Sequence, residues 1–294
     1  DLFNLDDTLR IENLVTGFSG VATIDPGAPA SATNFQSFTA LADRLNNYGV
    51  CGSVSINVAA GTYNETFILD NVPGLSAANK LTIDGIDSSL VTLTNDLSAE
   101  NALIRLKGSD YVTIKNMTLI STLNSTTDHF GVHFTGNARH DSIVNLRVIM
   151  GGTSSGSNGI AASGSDLSDN VEATNASFTT VINCSIENAY FGIHFEGNTN
   201  GNYDNVGNTF INNRISNIEF YAFYLTQQDS ILIEGNTVRN LLNAGGDGVY
   251  AFDLMNFRII GNDIIAQDYG MYLINANSST FANGPAEVIN NMII

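Results

Sequence analysis

Short runs of alternating apolar and polar residues recur along this chain, each opened by glycine or alanine. They are Gly131-Val132-His133-Phe134, Gly159-Ile160-Ala161-Ala162, Gly192-Ile193-His194-Phe195, Ala222-Phe223-Tyr224-Leu225, Gly248-Val249-Tyr250-Ala251 and Gly270-Met271-Tyr272-Leu273. Their starting positions lie 22 to 33 residues apart. Most are followed by a second apolar run carrying asparagine, as in Ile211–Ile215, Glu234–Val238, Ile260–Ile264 and Ile289–Ile293. Period-2 strands separated by polar turns at a recurring step predict a β-solenoid. One unit cannot bury its apolar face alone, whereas stacked units bury a continuous core. The expected fold class is all-β: a parallel β-helix, right-handed by the rule for parallel crossovers.

Residues 1–32 read as an irregular lead-in with Pro26 and Pro29, and 33–294 as the β-helix domain. Within that domain, 33–53 forms a helical cap. Apolar residues at 35, 38, 41, 42 and 45 have helical spacing, Thr33 or Asn34 suits the N-cap, and Gly49 suits the stop. The first strands follow at Val54–Val58, Leu81–Gly85, Ala102–Leu106 and Tyr111–Leu119. Stretches 151–158, 163–179, 197–207 and 275–287 are too long for plain turns and predict loops on one face. The chain starts at Asp1 without a signal peptide and stops at Asn291-Met292-Ile293-Ile294, inside a rung. A rung left open there exposes core and strand edge, so the expectation is a polypeptide that continues.

The 294 residues are 43% hydrophobic, enough for a sizeable core. Only 14% are charged and the net charge is −18, with 11 basic residues scattered along the chain. Nucleic-acid binding needs clustered Lys and Arg, so that class is excluded. Apolar stretches are strand-sized, so no transmembrane helix is expected.

Strand alternation divides the six repeated runs into columns. Val132, Ile160, Ile193, Phe223, Val249 and Met271 point inward. His133, Ala161, His194, Tyr224, Tyr250 and Tyr272 point outward, and Tyr224, Tyr250 and Tyr272 predict an exposed aromatic ladder suited to sugars or a protein partner. The alternative for the same ladder is cross-rung stacking alone. His194 and Glu196, two apart on one face, are the candidate acid–base pair, with Asp253 the nearby carboxylate that would complete a glycosidase pair. Asp166, Asp169 and Glu172 share one loop and are the candidate Ca2+ ligands; a solvated acidic loop is the competing account. In the second strands, Leu146, Cys184, Asn213, Asn236, Asn262 and Asn291 fall in one column. That predicts a buried asparagine ladder, with Cys184 a small apolar filler one rung before it. Cys51 lies rungs away, so both cysteines are expected unpaired.

The helix followed by Gly49 to Glu65, with Leu81–Gly85 and Asp110–Leu119 after it, resembles the opening of right-handed parallel β-helix modules in large Bacteroidetes cell-surface proteins. The resemblance covers about residues 33–294. It implies an adhesin-like surface protein, exported to the extracellular face by the type IX secretion route. The partners it implies are secretion or outer-membrane machinery, surface glycans or other surface proteins. Asp7-Thr8-Leu9, Asp141-Ser142-Ile143 and Asp229-Ser230-Ile231 resemble sites that Bacteroidetes O-glycosylate, which marks Thr8, Ser142 and Ser230. Gly61-Thr62-Tyr63-Asn64-Glu65 is also the GxYxE element of pectin methylesterases, but the catalytic motifs of that family are absent and the chain lacks Trp. The paired aspartates and Gly-His-Gly element of polygalacturonases are absent too. Lys80, Lys107 and Lys115 are the only lysines, and none stands beside a definable acidic cluster in sequence.

Two functions therefore compete. One is a structural or binding module of a secreted adhesin-like protein. The other is a polysaccharide-active β-helix enzyme, a lyase or esterase using His194 and Glu196. An ice-binding array ranks below both, since Thr135 and Thr226 are isolated in their column.

Overall fold

The computed structural model describes residues 16–198, 205–277 and 284–294. Three long sheets of 11, 9 and 8 strands run the length of the molecule, and strands pair in parallel from rung to rung. One coil shows the path. Leu81–Asp84 enters the first sheet, Val91–Asn95 the second and Ala102–Lys107 the third, before Val112–Lys115 returns to the first, one rung on. This is a parallel β-helix with three faces. Inward side chains of the three sheets meet in one core containing Ile56, Leu93, Ile104, Phe134, Ile193, Phe223 and Val249. The predicted inward column is buried from Val132 to Val249, and Met271 in the last rung is half-buried.

The repeated glycine has a steric cause. A Cβ on Gly192 would stand 2.7 Å from Ile215 Cγ2 and 2.6 Å from the Ala222 carbonyl of the next rung. Gly131, Gly159, Gly248 and Gly270 meet the matching Val or Ile of the second sheet in the same way. At this corner the second sheet packs against the start of the third, and from Gly131 to Gly270 the position holds only glycine or Ala222, whereas the earlier coil places Leu103 there. The glycine and its successor both face the core, so the residue before the glycine and the one two after it both face out.

The first coil is closed by a helix, Phe38–Tyr48, that buries Phe38, Leu41, Ala42 and Leu45. Its N-cap is Ser37, whose Oγ accepts from the Ala40 amide at 3.0 Å; the cap lies three residues beyond the predicted Asn34. Gly49 ends it at φ 65°, where a Cβ would stand 2.2 Å from the Pro73 carbonyl. The GxYxE element completes the cap. The Glu65 carboxylate accepts from the amides of Phe38 (3.0 Å) and Thr39 (2.8 Å) and from Thr39 Oγ1 (2.8 Å). The Tyr63 ring meets Phe38 edge-on at 5.2 Å.

Part of the lead-in departs from its sequence reading. Phe18–Ile24 is a strand of the first sheet, paired with Val50–Val58. A bulge between Phe18 and Gly20, with Gly20 at φ 92°, breaks its period-2 pattern. Residues 1–15, including Asp6, Asp7 and Thr8, lie outside the described residues.

Asparagines stack inside the turn between the first and second sheets. Asn213, Asn236 and Asn262 each donate through Nδ2 to Oδ1 of the next member, at 3.0, 2.9 and 2.8 Å, ending on Asn291. Each Oδ1 also accepts a backbone amide from the previous rung, beginning with Cys184 N to Asn213 at 2.9 Å. Cys184 is buried and Cys51 exposed, and both are free thiols.

Candidate functional site

The outer face of the third sheet gathers the candidate residues. Strand register lines up Ile68, Arg105, His133, Ala161, His194, Tyr224, Tyr250 and Tyr272 as one column along the axis. The column has two halves. The loop after Ala162 folds back over the first, and Arg105, His133, Ala161 and His194 are buried although they point away from the core. Polar contacts hold this loop. Ser163 Oγ lies 2.9 Å from His133 Nε2 and donates to the Ser168 carbonyl at 2.6 Å. Arg105 Nη2 donates to the Asp166 carbonyl at 2.9 Å. Phe130, Ala102 and Ala161 form a small apolar cluster separate from the core.

His194 is 2% exposed and sits in a carboxylate-lined socket under that loop. Its Nε2 lies 3.2 Å from Glu196 Oε2, and its Nδ1 lies 3.3 Å from Asn158 Oδ1 and 3.6 Å from Asp169 Oδ2. Burial pushes the imidazole pKa down, but hydrogen bonds and charge from Asp169 and Glu196 outweigh it and leave it raised. Burial likewise raises Asp169, but His194 outweighs it and the Asp169 pKa falls below the usual carboxylate value. Asp128, whose Oδ2 accepts from the Asp169 amide, is raised by burial and by the Asp169 charge. His194 and Glu196 are therefore adjacent, as their spacing requires, but form an internal ion pair closed off by a loop. Tyr224 packs edge-on against His194 at 4.6 Å. Asp253 does not join this pair: it follows the strand Asp247–Phe252, two rungs on, and donates its amide to the Ile274 carbonyl at 2.9 Å.

The second half of the column is open. Tyr224 and Tyr250 lie 5.5 Å apart with rings 3° from parallel, and Tyr250 and Tyr272 lie 5.4 Å apart at 52°. Tyr224 and Tyr250 are half-buried, and Tyr272 is 41% exposed. A parallel line of aromatics stands beside them. Phe191 stacks on Tyr221 at 5.8 Å, Tyr221 on Tyr250 at 4.5 Å, and Tyr269 on Tyr272 at 5.0 Å. Sequence reading missed this second line, because strict alternation places Phe191 and His194 on opposite faces. The available signal was the repeated aromatic-x-x-His/Tyr spacing around the corner glycine: Phe191 with His194, Tyr221 with Tyr224, Tyr269 with Tyr272. Burial first, then the charges of Glu196, Tyr250 and Asp169, push the Tyr224 hydroxyl up to about 12.

The candidate Ca2+ ligands take separate partners. Asp166 accepts from Lys107 Nζ and from Thr135 Oγ1, both at 2.8 Å, while Asp169 accepts from Asn158 Nδ2 at 3.0 Å and faces His194. Lys107, beside no acidic cluster in sequence, stands between Asp166 and Asp70, and Lys115 pairs with Asp84 at 2.9 Å. Lys107, Arg105, Glu100 and Leu167 line an open cleft of about 800 Å3 at the early end of the loop. Ser142 lies within the first sheet, half-buried, and Ser230 is exposed on a turn with φ 54°, its Oγ donating to Asp229 at 2.9 Å.

The family model described as "Periplasmic copper-binding protein (NosD)" matches residues 147–291. No curated protein sequence matches this chain. Among solved structures, the pectin methyl esterase of rice weevil aligns over 94% of this chain and 91% of its own at 13% identity, with a TM-score of 0.57. The ybhc protein of Escherichia coli aligns over 97% and 88% at 13% identity, also with a TM-score of 0.57. PfbA, a surface adhesin of Streptococcus pneumoniae, aligns over 92% and 79% at 13% identity, with a TM-score of 0.51. At such identity these likenesses establish the fold, a right-handed parallel β-helix. Among the described residues, no donor set fits the copper in the matched family's description. His140 is stacked between Tyr111 and Phe178, and His129, His133 and His194 bond to separate partners. Among the described residues no three His, Cys, Asp or Glu side chains gather as a group able to hold a metal ion. Among the same residues no helix is long and apolar enough to cross a membrane.

Proposed function

We propose that this chain is a recognition module of an exported protein displayed at the cell surface, and that the open aromatic half of the third sheet is its contact face. The observation that carries this reading is the cluster of aromatic rings on this face, one column continuous from Tyr224 to Tyr272 and a second holding Phe191, Tyr221 and Tyr269, partly exposed. Tyrosine offers large rigid contact area together with a hydroxyl, which is why it is enriched where proteins bind other macromolecules. A β-helix supports such a face well, since every rung is fixed by its neighbours. The same fold serves a surface adhesin and occurs in a family described as periplasmic, which supports a place outside the cytoplasm. Type IX export, and O-glycans on Ser142 and Ser230, belong to this reading through the resemblance to Bacteroidetes surface proteins. The enzyme reading gains less, because His194 is buried and both of its ring nitrogens face hydrogen-bonding groups.

The test is a binding survey of surface glycans and extracellular proteins with the wild type and with Tyr221→Ala and Tyr250→Ala. The expected result is a ligand that both substitutions weaken at least tenfold, as for central interface residues. Ligands indifferent to both substitutions would overturn the reading. So would depolymerisation of an acidic polysaccharide that is lost in His194→Ala, which would favour the enzyme.

A further inference from the structure

The open aromatic face is bordered by carboxylates and carries no Lys or Arg; the one cationic group beside it, His194, is buried between Glu196 and Asp169. On one long edge stand Glu219, Asp247 and Asp268. Asp247 shares the Phe191–Tyr221 column, and its charge reaches Tyr221. Glu219 acts on Tyr190, and Asp268 on Asp247. On the other edge, Glu196 and Asp169 lie near Tyr224 but are taken up by His194. The strands Phe191–Phe195, Tyr221–Thr226, Asp247–Phe252 and Met271–Ile274 carry no Lys or Arg, nor do the turns 188–190, 219–220, 243–246 and 266–270 that lead into them. Arg214, Arg239 and Arg258 lie on the other two sheets. Arg105 and Lys107 are on the covered half of the column and pair with Glu100, Asp70 and Asp166. Asp247 is 3% exposed. One of its oxygens accepts the Tyr269 amide at 2.9 Å, and no ion pair among the described residues includes it.

We propose that the partner of this face is a protein segment presenting Arg or Lys side chains, held by the Tyr221, Tyr224, Tyr250 and Tyr272 rings and by the carboxylates of Glu219 and Asp268. Cations are attracted to aromatic faces, and the planar guanidinium also stacks on them, so arginine suits the rings better than lysine. The bordering acids add long-range attraction and reject acidic partners, uronate-rich polysaccharides among them. A neutral glycan would use the rings but leave the carboxylates idle. This inference rests on the recognition reading above and narrows its ligand.

The test measures binding of an arginine–glycine repeat peptide, a lysine–glycine repeat of equal length and an acidic control, by fluorescence anisotropy at two salt concentrations, alongside a neutral glycan array. The expected order is arginine over lysine, with no binding of the acidic peptide. Tyr250→Ala should weaken the arginine peptide about tenfold. Tyr250→Phe, which keeps the ring, should leave it nearly unchanged. Glu219→Gln with Asp268→Asn, both away from the core, should weaken it about fivefold and flatten its salt dependence. Thermal melts would confirm that each variant is folded. If the peptide binds wild type and Tyr250→Ala equally, the attraction is only to the net charge of the chain and the inference fails. If neutral glycans bind through Tyr250 and the cationic peptides do not, the inference fails while the recognition reading stands. If neither peptides nor glycans bind, the inference fails as well.

Discussion

His194 Nε2 lies 3.2 Å from Glu196 Oε2, and the opposite ring nitrogen faces Asp169 Oδ2 at 3.6 Å, so one imidazole links a third-sheet strand to the loop that covers it. The titratable groups around the ring are Asp169 and Asp128 from loops, Glu196 after its own strand, His133 two rungs back, and Tyr224 on the next rung. The raised folded-state pKa of His194 means that its contribution is complete below the unfolded value of 6.5 and is lost as pH rises through the folded value. The lowered pKa of Asp169 means that its contribution is complete above 3.8 and is lost as pH falls through the depressed value. The link is therefore strongest between those limits. His194→Gln should cost roughly 3 kcal/mol there, because it leaves two carboxylates buried without their cation. The melting-temperature gap between wild type and His194→Gln should shrink between pH 6 and pH 9, while proteolysis within 163–175 of the wild type quickens. A gap independent of pH would refute the charged pair.

Glu65 should matter for stability and not for binding. Its carboxylate satisfies two amides at the open end of the capping helix, where the helix dipole also favours negative charge. Glu65→Ala should lower unfolding free energy by about 1–2 kcal/mol, and Glu65→Gln by less. Denaturant titration measures this. Unchanged stability, or a lost ligand with stability intact, would contradict the capping role.

The solenoid was legible because its rule is local. An inward residue every second position, a small residue at the crowded corner from Gly131 onward and an asparagine at the turn from Asn213 onward recur from coil to coil, and each follows from backbone geometry. The strand Phe18–Ile24 was hidden by the bulge at Gly20, which breaks the alternation. The second aromatic line was hidden by the two consecutive inward residues at each corner, such as Gly192 and Ile193, which shift the outward positions by one. The burial of His133 and His194 was not legible at all. It depends on how a loop 30 residues away folds back, as Ser163 bonding to His133 shows, and no periodicity encodes that. The separate partners of Asp166 and Asp169, three apart in sequence, follow from the same loop path.

Asn236 offers a test of the ladder. It donates to the Phe210 carbonyl and to Asn262, and accepts from the amide and side chain of Asn213. Asn236→Ala leaves several buried groups unpaired and should cost about 3 kcal/mol or more. Asn291→Ala, in the half-buried last rung, should cost clearly less, since water can replace its bonds there. Equal losses at both sites would mean that the ladder is not a buried network.

The two cysteines should behave as different chemical species. Cys51 is exposed in the Val50–Val58 strand. Cys184 is buried in the turn four rungs later, where burial pushes its thiol up to about 12 despite opposing backbone hydrogen bonds. A thiol of that pKa is almost wholly protonated at neutral pH, and the thiolate is the reactive form. Four rungs separate the residues by about 19 Å along the axis, whereas a disulfide needs Cα atoms within about 7 Å. In native buffer a chromogenic disulfide reagent should label one thiol per chain promptly, and Cys51→Ser should abolish that reaction. The second thiol should react only at the rate of unfolding, accelerating in denaturant in step with loss of the circular dichroism signal. Prompt labelling of two thiols, or of none without reductant, would refute the placement of Cys184 inside the coil.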